Sequence, residues 1–187
     1  MHTMQNLVRM VTLALIPAAV LTSSARAQLN PKSAISPETI PLRIRLGVLR
    51  PSGITTRNLS GTQVLGGMVD LSSSRSEEAR TLTVGYFQGG TAGKSFRIAP
   101  LLVTKTSAGT SGGSSSTGMT GFFTSEGFGA YFVDAAGSGF KARFGGYIGA
   151  GLRLTGGLFV EAQYHYVRGS VNGASPNGIA LFIGRRN

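Results

Sequence analysis

Residues 140–167 read FKARFGGYIGAGLRLTGGLFVEAQYHYV, and their parity decides the fold. Even positions carry Phe140, Ala142, Phe144, Gly146, Ile148, Ala150, Leu152 and Leu154. Odd positions carry Lys141, Arg143, Gly145, Tyr147, Gly149, Gly151 and Arg153. A period of two means a strand with one apolar and one polar face. Strands in soluble proteins commonly run about 5–6 residues. A strand tilted across a bilayer needs about 9–11 for the hydrocarbon alone. The length of this alternation therefore predicts a membrane strand. A second run repeats the pattern, with Leu158, Val160, Ala162, Tyr164 and Tyr166 on one face and Phe159, Glu161, Gln163, His165 and Val167 on the other.

The two runs test each other. Thr155-Gly156-Gly157 has the composition of a three-residue hairpin loop with glycine at the left-handed position. It sets Leu154 against Leu158, and even residues then face even residues throughout. One face pairs Leu152 with Val160, Ala150 with Ala162, Ile148 with Tyr164, and Gly146 with the covering ring of Tyr166. The other pairs Gly151 with Glu161, Gly149 with Gln163 and Tyr147 with His165, and places Arg153 diagonal to Glu161. Small faces large along that polar face, as a narrow interior requires. A slip of one residue would exchange the two faces.

Outward from this hairpin the same reading predicts six more strands. Residues 42–48 alternate aliphatic with Arg43, Arg45 and Gly47. Residues 61–72, 80–88, 96–106 and 120–134 are less regular, and Phe122-Phe123 and Tyr131-Phe132-Val133 blur the parity of the last. Residues 178–186 make the eighth. Eight is even, which leaves both ends of the barrel domain on one side, as single-chain outer-membrane barrels require. Connections at 51–60, 89–94, 135–139 and 169–177 fall on the opposite side. The Gly/Ser/Thr stretch Ser107–Gly118 reads as a flexible loop. Phe140, Phe144, Tyr164 and Tyr166 come to one end of the hairpin, where an aromatic girdle belongs.

The start of the chain reads as an address. Arg9 closes a short basic region, Met10–Leu21 is apolar, and Ser23–Ala27 offers small residues for cleavage after Ala27. The apolar run is too short for a membrane helix, which needs about 20 residues. Residues 1–27 are thus expected to be a cleavable signal peptide. Residues 28–41, with Pro31, Pro37 and Pro41, form an unstructured leader, and residues 42–187 form the barrel domain.

Composition narrows the function. The chain has no Cys, which excludes disulfides, thiolate chemistry and a lipidated N-terminal cysteine. Formal charge is +11, yet the 18 basic residues are scattered, and the longest basic run is Arg185-Arg186. A nucleic-acid binder would cluster them, so no nucleic-acid partner is expected.

Residues 127–187 contain GFGAYFVD, FGGYIGAGLRL, LFVEAQYHYV and NGIALFIGRRN. They resemble the C-terminal half of small bacterial outer-membrane barrels of the OmpA/OmpX-like type. The resemblance implies an all-β, eight-stranded antiparallel up-and-down transmembrane β-barrel, with short periplasmic turns and longer outer loops. It places Ile179, Leu181, Ile183, Arg185 and Asn187 on the lipid side. Such proteins usually end in an aromatic residue read by the assembly machinery, and Asn187 departs from that.

The expected polar interior comprises Arg43, Arg45, Lys141, Arg143, Tyr147, Arg153, Glu161, Gln163 and His165. One reading of its basic residues is an anion-preferring channel for small solutes; the other is a salt-bridged plug. Eight strands leave room inside only for side chains, which favours the plug. His165 could serve as a general base in a lipid-modifying enzyme, assisted by Glu161 or Ser170. Glu161 stands about 13 Å from it along a strand, at ~3.3 Å per residue, and Ser170 lies past the strand end. Gly145-Gly146 and Gly149-Ala150-Gly151 lack the following helix and the Lys-Ser/Thr of a phosphate loop. With no Cys and no second His beyond residue 27, a metal site has no obvious ligands.

The resulting expectation is a monomeric, cofactor-free outer-membrane barrel that is not an enzyme. Its partners would be outer-membrane lipid and the barrel-assembly machinery, and its role structural or in surface interaction. A soluble secreted β-barrel binding protein is the remaining alternative.

Overall fold

The computed structural model describes residues 42–72, 80–91, 94–109 and 119–186. The signal segment and leader expected at 1–41 lie outside them, as do Asn187 and most of the connections after residues 72 and 109. Eight antiparallel strands form one closed barrel in chain order. They are β1 (Leu42–Pro51), β2 (Val64–Ser72), β3 (Thr81–Thr91), β4 (Lys94–Ala108), β5 (Met119–Ala135), β6 (Lys141–Leu154), β7 (Leu158–Val167) and β8 (Gly178–Arg186). β1 closes on β8, from Arg43 opposite Arg186 to Pro51 opposite Gly178. Extended once round the barrel, the registers carry Ile44 to the level of Ile54, a stagger of about ten residues. Such a stagger tilts the strands by ~35–45°.

The β6–β7 register is the one parity demands. Tyr147 lies opposite His165 and Ile148 opposite Tyr164. Ile148 is 67% exposed on the outside, and His165 is 2% exposed on the inside. The turn Thr155–Gly157 makes this possible with Gly156 at φ 74° and Gly157 at φ 75°, where a side chain would be strained.

Parity also resolves β5. Phe123, Tyr131 and Val133 point inward and are buried, while Phe122 and Phe132 point outward and are exposed. Both faces are aromatic, which is why the sequence pattern blurs there. Inside, rings pair with glycines across the seams: Phe87 with Gly66, Phe182 with Gly47, Tyr147 with Gly127, Phe123 with Gly151 and Phe159 with Gly184. Each glycine frees the width of a side chain in a bore that has little to spare.

One expectation is corrected. Residues 51–60 are not simply an outer loop: β1 continues to Pro51, and α1 (Ile54–Ser60) follows, so β2 begins at Val64 and not at 61. Helix α1 has no side-chain cap, so little in the local sequence announces it. Packing and long-range hydrogen bonds hold it in place. Thr56, fully buried, donates from Oγ1 to Ser175 O and accepts from Ser175 N, each at 2.9 Å. Asn177 continues this staple, its Oδ1 accepting from Val167 N and its backbone oxygen from Ser52 N.

The interior is layered along the axis. Toward the α1 end lies an apolar cluster built on Leu49, Val64, Phe96, Ile98, Val133 and Val171. Toward the other end, where β1 begins and β8 stops, lie buried charged and polar side chains together with the rings of Phe123 and Phe159. Outside, every strand presents large apolar side chains to the surroundings. Leu46, Leu65, Val84, Leu101, Phe128, Ile148, Tyr164 and Leu181, one from each strand, are all more than a third exposed.

Candidate functional site

The polar layer is built from alternating inward positions. Arg43 and Arg45 enter from β1, Asp70 from β2, Thr83 from β3, Thr104 and Thr106 from β4, Ser125 and Tyr131 from β5, and Glu161, Gln163 and His165 from β7. Glu161 is its hub. One carboxylate oxygen accepts from Arg43 and Arg45, each at 3.0 Å. The other accepts from Ser125 Oγ, and from Gln163 Nε2 at 2.9 Å. Arg45 donates onward to Asp70 at 2.5 Å, Thr83 also donates to Asp70, and Thr83 bonds Thr104. Arg43 donates to Thr106 at 3.1 Å.

Charge balances here, two guanidiniums against two carboxylates. That balance matters because an unpaired buried ion is far more costly than a paired one. Aromatic faces complete the cradle. The Arg43 guanidinium stands 4.0 Å from the Phe159 ring centre and 4.8 Å from that of Phe123. Arg45 lies between Tyr147 and Phe182 at about 6 Å. The Nε atoms of Arg43 and Arg45 have no hydrogen-bond partner, so part of their desolvation is offset only by these rings and by the ion pairs.

His165 closes the network at the α1 side. Its Nδ1 lies 2.9 Å from the Tyr131 hydroxyl and its Nε2 3.0 Å from Gln163 Oε1. Since the Gln163 amide nitrogen donates to Glu161, its oxygen is the acceptor, which assigns the ring proton to Nε2. Tyr131 then donates to Nδ1. Glu161 and His165, too far apart to touch, are connected through Gln163. Both ring nitrogens are engaged and the ring is buried. Both nitrogens are thus committed to Tyr131 and Gln163 in this arrangement.

The network gathers Arg43, Arg45, Tyr147, Glu161, Gln163 and His165 from the expected interior set. Lys141 and Arg143 stand apart from it. Lys141 is exposed, and Arg143 donates to the Ser170 carbonyl oxygen in the β7–β8 connection. Both have the inward parity, but β6 reaches the barrel rim there. Arg153 was expected, from its diagonal position, to pair with Glu161. Its guanidinium lies over the Phe123 ring, and Arg43 and Arg45 hold the carboxylate. Asp70, Thr83, Thr104, Ser125 and Tyr131 were not foreseen. Asp70 shares its parity with buried Val64 and Met68, a signal that Gly66-Gly67 weakens.

Below the network, toward the end where β1 begins, lies a cavity of ≈ 290 Å³ lined by Arg43, Asp70, Phe123, Arg153, Phe159 and Arg186 among others. It borders the ion-paired layer, and the apolar cluster lies beyond. Comparison with known proteins finds no matching family model, no matching curated protein and no matching solved structure.

Proposed function

We propose that this chain is a bacterial outer-membrane β-barrel protein of the OmpA/OmpX-like type, with a sealed lumen and a structural or surface-interaction role. The observation that carries this reading is the inversion of a soluble protein's pattern. Large apolar side chains are exposed on all eight strands, while charged groups are buried and paired inside. In water such a belt would far exceed the apolar patches that monomers tolerate; in lipid it is the surface required. Closure supports the reading too, since an open sheet edge would leave backbone groups unpaired in hydrocarbon. Phe140, Phe144 and Tyr166, exposed toward the α1 end, suit a headgroup girdle there. The signal segment read at 1–27 fits export and cleavage after Ala27, which would leave the β1 start facing the periplasm.

A structural role follows from the filled bore. The ion-paired layer and the apolar cluster occupy the interior, which supports a lumen closed to solutes. The test is fractionation of the expressed chain, followed by planar-bilayer recording of the purified protein. Recovery from outer membranes with detergent, heat-dependent gel mobility and no stepwise conductance are expected. A monodisperse folded protein in detergent-free buffer would overturn the membrane reading. Stable open channels would overturn the sealed lumen and favour the anion-preferring channel.

A further inference from the structure

The apolar exterior is interrupted on the β4–β5 seam. Lys105 and Glu126 are direct cross-strand partners there, and Ser107 and Thr124 form the next outward pair. Lys105, Thr124 and Glu126 are exposed. This spot is not at the rim. Glu126 follows Ser125, whose hydroxyl donates to Glu161, so it stands level with the ion-paired layer inside. Its partner across the next seam is Ile148, and Phe122 and Phe128 flank it on the same outward row of β5. None of the ion pairs seen among the described residues joins Lys105 to Glu126.

On the membrane reading, on which this inference rests, two opposite charges therefore face the hydrocarbon. Ionisable groups at that depth are expensive and mark a contact or a function. We propose that the β4–β5 face is a two-fold self-association surface, with Lys105 of each copy meeting Glu126 of the other. The geometry favours a second copy. A two-fold axis parallel to the barrel axis, passing in front of this seam, exchanges left and right and preserves depth. Side-by-side Lys and Glu then face Glu and Lys, giving four charges of alternating sign excluded from lipid. Lipid phosphates lie at the edges of the apolar band and do not reach this level. Any other protein would need its own matching pair, whereas a second copy supplies one by symmetry.

The experiment uses the full chain reconstituted in phosphatidylcholine vesicles. Donor- and acceptor-labelled copies are mixed at several protein-to-lipid ratios, and insertion is checked by protease protection. Wild type should self-associate. K105E, with two acids at the seam, and E126K, with two bases, should each lower the association constant about tenfold or more. An equimolar mixture of K105E with E126K should recover association as a mixed pair. The K105E/E126K double variant should associate like wild type, which excludes misfolding as the cause of the single-variant losses. Inserted wild type that stays monomeric at every ratio overturns the proposal, as does a mixture no better than its components. Failure of wild type to insert would instead defeat the membrane reading.

Discussion

Phe123 occupies the space that Gly151, its cross-strand partner, leaves empty: a Cβ added at Gly151 would lie 2.3 Å from Phe123 Cζ. The backbone oxygen of Val160 stands 2.5 Å from the same point, so the ring cannot relieve the clash by itself. Gly151→Ala should therefore destabilise the barrel by about 1–3 kcal/mol through overpacking, measured by denaturant unfolding in lipid. Gly121→Ala is the control. Nothing lies within 4 Å of its added Cβ, and a change within about 0.5 kcal/mol is expected. Equal losses at both positions would refute the packing argument.

Ile148 separates the membrane from the soluble reading. It is 67% exposed. In water, Ile148→Lys on such a surface should change stability by no more than about 0.5 kcal/mol. In a bilayer it should cost on the order of 2–4 kcal/mol near the midplane. Reversible unfolding from vesicles reads the difference directly, and a neutral result would favour the soluble barrel.

Glu161 holds two arginines at once, each at 3.0 Å. Glu161→Gln removes the charge and leaves Arg43 and Arg45 with Asp70 alone. A loss of about 3–5 kcal/mol is expected for breaking a buried ion cluster on one side. Conductance should stay absent, because Phe123, Phe159 and the apolar cluster remain in the bore. Opening of a steady channel in this variant would show that the ionic layer alone seals the lumen.

His165 is 2% exposed with both nitrogens bonded. Diethylpyrocarbonate should leave it unmodified in the folded barrel and acylate it after unfolding, as followed by mass spectrometry of the peptide containing it. Rapid modification of the folded protein would reopen the general-base reading.

Much of the fold was legible because the signals are short in range. A hairpin's register follows from parity and loop chemistry, and Tyr147, Ile148, Tyr164 and His165 fall where that rule sends them. Blurred parity in β5 has a local cause as well, since Phe122 and Phe123 serve two apolar environments, one outside and one within. Helix α1 escaped notice because its stability comes from Thr56 meeting Ser175, 119 positions away, and not from capping residues.

By itself the sequence determined the approximate places of the strands, the two faces of β6 and β7 and the register between them, because side-chain alternation is a property of adjacent residues. Only closure of the barrel decided depth and partners. Lys141, Arg143 and Arg153 share the inward parity with Glu161, yet the first two reach the α1-end rim and the third lines the cavity at the opposite end. Parity assigns a face, and stagger assigns a height. The arginines that Glu161 binds lie 116 and 118 positions away in the chain. They meet it because β1 returns to β8, beside β7, a relation that no local pattern encodes.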